Sequence, residues 1–224
     1  MTATDRAARQ GRREQPLLEG TRMSTRLFPD DTVYLQRILK ASGLYPYRVD
    51  GVWGPHTDAG STLFEARSDA LAAEMGTFDA RTERNIRTLT LTAQAAARAF
   101  MNAMREAGIH ARIISGTRSY AEQNALFRQG RYGNPGPRVT NAPGGRSNHN
   151  FGIAWDIGIF RNGAYLPESP LYDEAARVAL LAGIPGLEWG GNWRSFPDRS
   201  HYQIATGLPL AEIRRRFEAG EPYV

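Results

Sequence analysis

GIAWDIGIF, residues 152–160, decides what kind of fold this chain builds. Its period is two: Ile153, Trp155, Ile157 and Ile159 fall on one face, Ala154, Asp156, Gly158 and Phe160 on the other, as a strand with one face in a core requires. Asp156 sits between two of the smallest side chains, with room above it for a bulky neighbour. On this strand alone, a solvent-facing aspartate explains the pattern as well as a ligand does.

Around it the pattern changes. Val33, Leu35, Ile38 and Leu39 have near-helical spacing, the run breaks at Gly43 and turns through Tyr45, Pro46 and Tyr47, and a helix resumes after Thr57, so residues 31–66 read as a helix, turn, helix unit. Residues 78–108 read as one long helix stopped by Gly108. ARIIS is a short buried strand, and Ser119 with Glu122 forms a capping box opening a helix. RYGNPGPRVTNAPGGRSN is a long loop, HYQIA a further strand, and LPLAEIRRRFEAG an amphipathic closing helix. The expected class is α+β, a small antiparallel sheet flanked by helices and preceded by a small helical module. The expected division is 1–25 a disordered leader, 26–75 the helical module and 76–224 the main domain.

Composition narrows the chemistry. Cysteine is absent, which removes disulfides, thiolate metal sites and a cysteine nucleophile. The net charge is +5, carried almost wholly by arginine, with Lys40 the one lysine. That suits an anionic partner, but the arginines follow no groove-sized pattern, so nucleic acid is not expected. No apolar run approaches the roughly 20 residues of a membrane span, and the first residues lack the apolar stretch of a secretory signal. The expectation is a monomer that stays in the cytoplasm unless something else releases it.

His149 stands seven residues before Asp156, an odd separation that would put it on the opposite face of a continuous strand. It must come from the preceding loop, with Gly152 allowing the bend. A second cluster, EWGGNWRSFPDRSHYQIA, supplies His201, with Asp198 three residues before it and Glu188 further back. Two histidines and one carboxylate with an open fourth position match a catalytic zinc site. A base must still take the proton of the attacking water; Asp198 is the first candidate and Glu188 the second, though a carboxylate capping the Gly190–Gly191 turn explains Glu188 equally well. Arg118 could stabilise the oxyanion. No HExxH, GxSxG or P-loop is present.

Taken together, SGTRSYAEQNALFRQGR, VTNAPGGRSNHNFGIAWDIGIF and WGGNWRSFPDRSHYQ resemble the zinc D-alanyl-D-alanine peptidase superfamily (M15), and within it the L-alanyl-D-glutamate endopeptidases of bacteriophage endolysins and some bacterial wall hydrolases. The resemblance covers roughly residues 78–210. It implies a Hedgehog/DD-peptidase-like fold and Zn2+ held by His149, Asp156 and His201. Asp198 would be the general base, and Arg118 would polarise the scissile carbonyl or hold a substrate carboxylate. Ser147, Gln123 and Trp189 are candidates for contact with substrate. Relatives that cut D-alanyl-D-alanine have Glu where this chain has Asp198, which favours the endopeptidase branch.

LQRILKASGLYPYRVDGVWGPHTDAGSTLFEA resembles the peptidoglycan-binding repeat, through Leu35, Gln36, Asp50, Gly51, Gly54 and Thr57. It implies wall contacts at Asp50 and Trp53. The expected function is a bacteriolytic endolysin that hydrolyses the stem peptide of peptidoglycan at the L-Ala-D-Glu bond, waiting in the host bacterial cytoplasm until released to the wall. A D-Ala-D-Ala carboxypeptidase and a catalytically inactive wall-binding protein are the alternatives.

Overall fold

The alternation along residues 153–159 is realised as the central strand of a five-stranded antiparallel sheet. In the computed structural model, which describes residues 27–28 and 31–224, the strands are β1 (Ala111–Ser115), β2 (Ala154–Arg161), β3 (Ala164–Leu166), β4 (Leu187–Trp189) and β5 (His201–Ile204). Their order is β1-β2-β5-β4, with β3 turning back onto the end of β2. The helices are α1 (Thr32–Ala41), α2 (Pro55–Met75), α3 (Ala80–Ile86), α4 (Leu91–Glu106), α5 (Tyr120–Arg128), α6 (Leu171–Leu181) and α7 (Leu210–Ala219). The leader expected over residues 1–25 lies outside the described residues.

One face of the sheet is dry. Trp155, Ile157 and Ile159 of β2 meet Ile113, Tyr202 and Ile204 from its neighbours, under Ala93, Ala97, Phe100 and Met104 of α4 and Tyr172, Ala175 and Ala179 of α6. The alanines let both helices lie close to the strands. The opposite face carries Asp156, His201 and Gln203, as the period of two demands.

The long helix expected over 78–108 is two helices, α3 and α4, and the break has a purpose. Asp79 caps α3 by accepting from the amides of Arg81 and Thr82, and Thr88 ends it by donating its hydroxyl to Asn85 O at 2.7 Å. The freed groups receive the loop that follows β1. Thr117 N donates to Thr88 Oγ1 at 2.9 Å, and a Cβ on Gly116 would stand 2.4 Å from Asn85 O. An unbroken helix would offer that loop neither the bond nor the space. The two pieces are joined by Arg98, fully buried, whose NH1 and NH2 reach the two Glu83 oxygens at 2.9 and 2.8 Å.

A second cluster lies across the boundary expected at residue 75. Tyr34, Leu35, Ile38 and Leu39 of α1 pack with Phe64 of α2, Phe151 and Ile153 beside β2, and Ile213, Phe217 and Tyr223 at the C-terminus. Within this N-terminal part, Gln36 is a hub. Its amide nitrogen reaches Asp50 Oδ1, Thr57 Oγ1, Tyr45 Oη and Val52 O, and its oxygen accepts from the amides of Asp50 and Gly51.

Removing one partner of the Arg98–Glu83 pair leaves a buried charge uncompensated, which costs about 3–5 kcal/mol. Glu83→Ala is expected to lower unfolding stability by that order in urea titration.

Candidate metal centre

Asp156 and His201 are direct cross-strand partners in the pairing of β2 with β5, so their side chains rise side by side on the polar face. His149 arrives from outside the sheet, on a 3-10 turn spanning Asn148–Phe151 that Gly152 ends in the left-handed region at φ +67°. A side chain at 152 would also meet Thr90 Cγ2 and Ile38 Cδ1 at 3.1 and 3.2 Å. Glycine is required there on both counts, as the odd separation between His149 and Asp156 predicts.

Three donor atoms converge. His149 Nε2 lies 3.1 Å from Asp156 Oδ1 and 3.2 Å from His201 Nδ1, and His201 Nδ1 lies 3.2 Å from the same carboxylate oxygen. The outer bonds decide which ring nitrogens carry hydrogen. His149 Nδ1 faces the carbonyl of Gly116 at 2.8 Å, and a carbonyl only accepts, so Nδ1 bears the proton. The other ring is set from Glu188. Its carboxylate accepts from Gln203 Nε2 at 2.6 Å, which turns Gln203 Oε1 toward His201 Nε2 at 3.0 Å and makes that nitrogen the donor. Asn148 Nδ2 donates to the same oxygen at 2.6 Å.

With both outer nitrogens protonated, the inner ones present lone pairs to each other and to a carboxylate. Three acceptors at this spacing repel unless a cation or a proton stands among them. The donor set, two imidazoles and one carboxylate, suits Zn2+, and among the described residues no fourth His, Asp or Glu joins the group, which leaves room for water or substrate. Without an ion the carboxylate leans on its neighbours. Burial alone would raise the Asp156 pKa, but the charges and hydrogen bonds of His149 and His201 hold it well below the usual range. Burial likewise pushes His201 down, yet its contacts with Asp156 outweigh this and its pKa ends raised; burial dominates at His149, whose pKa is lowered.

Arg118 belongs to the same cluster. Its NH2 is 3.5 Å from Asp156 Oδ2, its amide donates to His149 O at 3.0 Å, and its Nε is buried with no partner among the described residues. Asp198 lies in the turn leading into β5, fixed through Oδ1 by Ser200 N at 3.1 Å and Ser200 Oγ at 2.8 Å, and it lines a cavity of about 440 Å3 with Val139, Tyr165, Phe196 and Pro197. Glu188 is exposed and accepts from Gln203 Nε2.

The remaining candidates lie around the cluster and in the N-terminal part. Ser147 opens the 3-10 turn without capping it through its side chain. Gln123 is fully buried and donates to Ala142 O at 2.8 Å, anchoring the long loop. Trp189 is half-buried against the main core and donates its indole N–H to Arg199 O. Asp50 clamps its own turn by accepting from Gln36 and from Val52 N, and Trp53 packs against the second cluster. Sequence reading misses Gln203, Asn148 and the Gly116 carbonyl, and also Trp193, whose ring centroid is 4.8 Å from that of His201. For Gln203 a signal exists, since two residues along a strand return to the same face.

Residues 140–204, which hold all three donors, match the family described as D-alanyl-D-alanine carboxypeptidase. That segment is therefore similar to this peptidase family, and it holds the three donors that could bind a metal ion. Among characterised relatives, the chain is 36% identical over 104 residues to the peptidoglycan L-alanyl-D-glutamate endopeptidase CwlK of Bacillus subtilis (strain 168), a match covering 43% of this chain and 62% of that one. A crystal structure of the Serratia marcescens L-Ala D-Glu endopeptidase ChiX aligns at 28% identity over 58% of this chain and 90% of that one, with a TM-score of 0.47.

Two outcomes are expected of metal binding. Gln203→Ala frees the His201 ring to rotate and exchange tautomers, and should weaken zinc affinity roughly 10- to 100-fold by chelator competition, whereas an unchanged affinity would show that the ring is held by other means. Because His201 must lose its proton to bind metal and its pKa is raised from 6.5, affinity should be flat at high pH and fall roughly tenfold per unit once the pH drops below that raised value. Titration calorimetry across pH 5.5–8.5 reads the break point.

Proposed function

We propose that this chain is a zinc-dependent endopeptidase that hydrolyses the stem peptide of peptidoglycan at the L-alanyl-D-glutamate bond. The observation that carries the reading is the convergence of two tautomer-fixed imidazoles and one carboxylate in a cluster with no fourth protein ligand among the described residues. The relative from Bacillus subtilis, named for that bond, supports the choice of substrate.

A bound zinc ion supplies Lewis acidity, which brings the pKa of its water to about 7 and polarises a carbonyl oxygen. The protein's own groups do the rest. Asp198, with Oδ1 fixed by Ser200, takes the proton of the attacking water through its other oxygen and passes it to the leaving amine. Arg118 directs its guanidinium toward the carbonyl oxygen as negative charge develops there. Its contact with Asp156 at 3.5 Å is long enough to be exchanged for a substrate oxygen. The cavity beside Asp198, with Tyr165, Phe196 and Val139 exposed on its walls and Glu168, Ser169 and Arg199 among its polar lining, offers a mixed bed for the extended peptide.

The test is fragment analysis of purified peptidoglycan by mass spectrometry. Wild type with zinc should release fragments with new amino-terminal D-glutamate; chelator or His149→Ala should abolish release; and Asp198→Ala should lower kcat about 10^2- to 10^4-fold while zinc affinity is retained. The matched family's description favours one competitor, a D,D-carboxypeptidase, which would liberate free D-alanine instead. Sedimentation with several wall types and no release from any would point to an inactive wall-binding protein. We further propose bacteriophage deployment as an endolysin: expression inside a bacterial host should cause lysis only when a membrane pore is supplied.

A further inference from the structure

We propose that Tyr34 is a positioning residue for His149 and Arg118, which makes α1 part of the apparatus that aligns the metal centre; this rests on the peptidase reading above. Tyr34 lies outside the matched segment, on the helix that resembles a wall-binding repeat. Its side chain is 2% exposed, held edge-on by Phe28 and Phe217 at centroid distances of 4.7 and 5.1 Å.

Its hydroxyl meets two main-chain carbonyls, that of Arg118 at 2.9 Å and that of Asn150, the residue after His149. These belong to the two segments whose relative placement sets the site. The segments are laced by His149 Nδ1 to Gly116 O, Arg118 N to His149 O and Asn150 Nδ2 to Arg118 O, at 2.8, 3.0 and 2.8 Å. Two carbonyl dipoles facing one point repel, and a shared O–H donor is what lets them approach. Burial raises the phenol pKa well above 10, so the proton is always present. Take it away and Asn150 O, in a fully buried residue, loses its donor, and the turn bearing His149 drifts from the loop bearing Arg118.

The experiment compares Tyr34→Phe, which deletes only the hydroxyl, with Phe217→Leu, which loosens the same aromatic cluster and leaves the hydroxyl in place. Three quantities are read on the full chain: zinc affinity by chelator competition, kcat and KM on purified stem peptide, and the thermal midpoint. Tyr34→Phe is expected to weaken zinc binding roughly tenfold and lower kcat about tenfold with KM within twofold. Phe217→Leu is expected to lower the thermal midpoint at least as far, with zinc affinity and kcat within twofold of wild type. If Tyr34→Phe binds zinc like wild type, or if both variants lose affinity and kcat in proportion to their loss of stability, the proposal is overturned. Should wild type cleave nothing, the peptidase reading fails, while the zinc measurement still decides whether Tyr34 positions the site.

Discussion

The pairing of Asp156 with His201 across two antiparallel strands is the constraint around which the molecule is arranged. A ladder fixes which residues stand opposite one another, so one register brings a carboxylate and an imidazole together without loop ordering. A slip of one residue would turn Asp156 into the core and bring Trp155 out to the polar face. The apolar side of the same strand therefore guards the register: Trp155, Ile157 and Ile159 can be buried under α4 and α6 in one phase only. The third donor has no ladder to place it, and the chain uses the left-handed turn at Gly152 together with a web of main-chain bonds.

Legibility in the sequence followed the same division. Periodicity along one strand revealed β2 and the two faces it separates, and the capping box at Ser119 and Glu122 revealed the start of α5, because these signals are local. The break between α3 and α4 was hidden because the apolar spacing runs through it. What interrupts the helix is docking of the loop after β1 onto Asn85 and Thr88, a contact between residues far apart in sequence. β3 and β4 have three residues each, too few to display a period.

The site divides similarly. Its three donors were legible because few side chains bind metal and the chain has four histidines in all. The groups that orient the donors were not, because a main-chain carbonyl such as Gly116 O has no letter in a sequence, and Gln203 is one polar residue among many. The motif around Gln36 has a structural account as well. Leu35, Gln36, Asp50, Gly51, Gly54 and Thr57 carry the resemblance to a wall-binding repeat, and in the fold Leu35 is buried in the core while Gln36, Asp50, Gly51 and Thr57 meet one another around the Gln36 amide. A side chain that satisfies several groups at once leaves the same trace in a sequence as one that grips a ligand.

The segment that matches the peptidase family, residues 140–204, begins after Gly116 and Arg118 and well after Tyr34. It contains every atom that would touch the ion and lacks the carbonyl that orients one of them. A fragment excised along that border would keep all three donors while His149 lost the partner that dictates its tautomer. Ancestry, as sequence likeness records it, and mechanical integrity therefore have different borders in this chain, and anyone trimming or transplanting the centre should cut along the second.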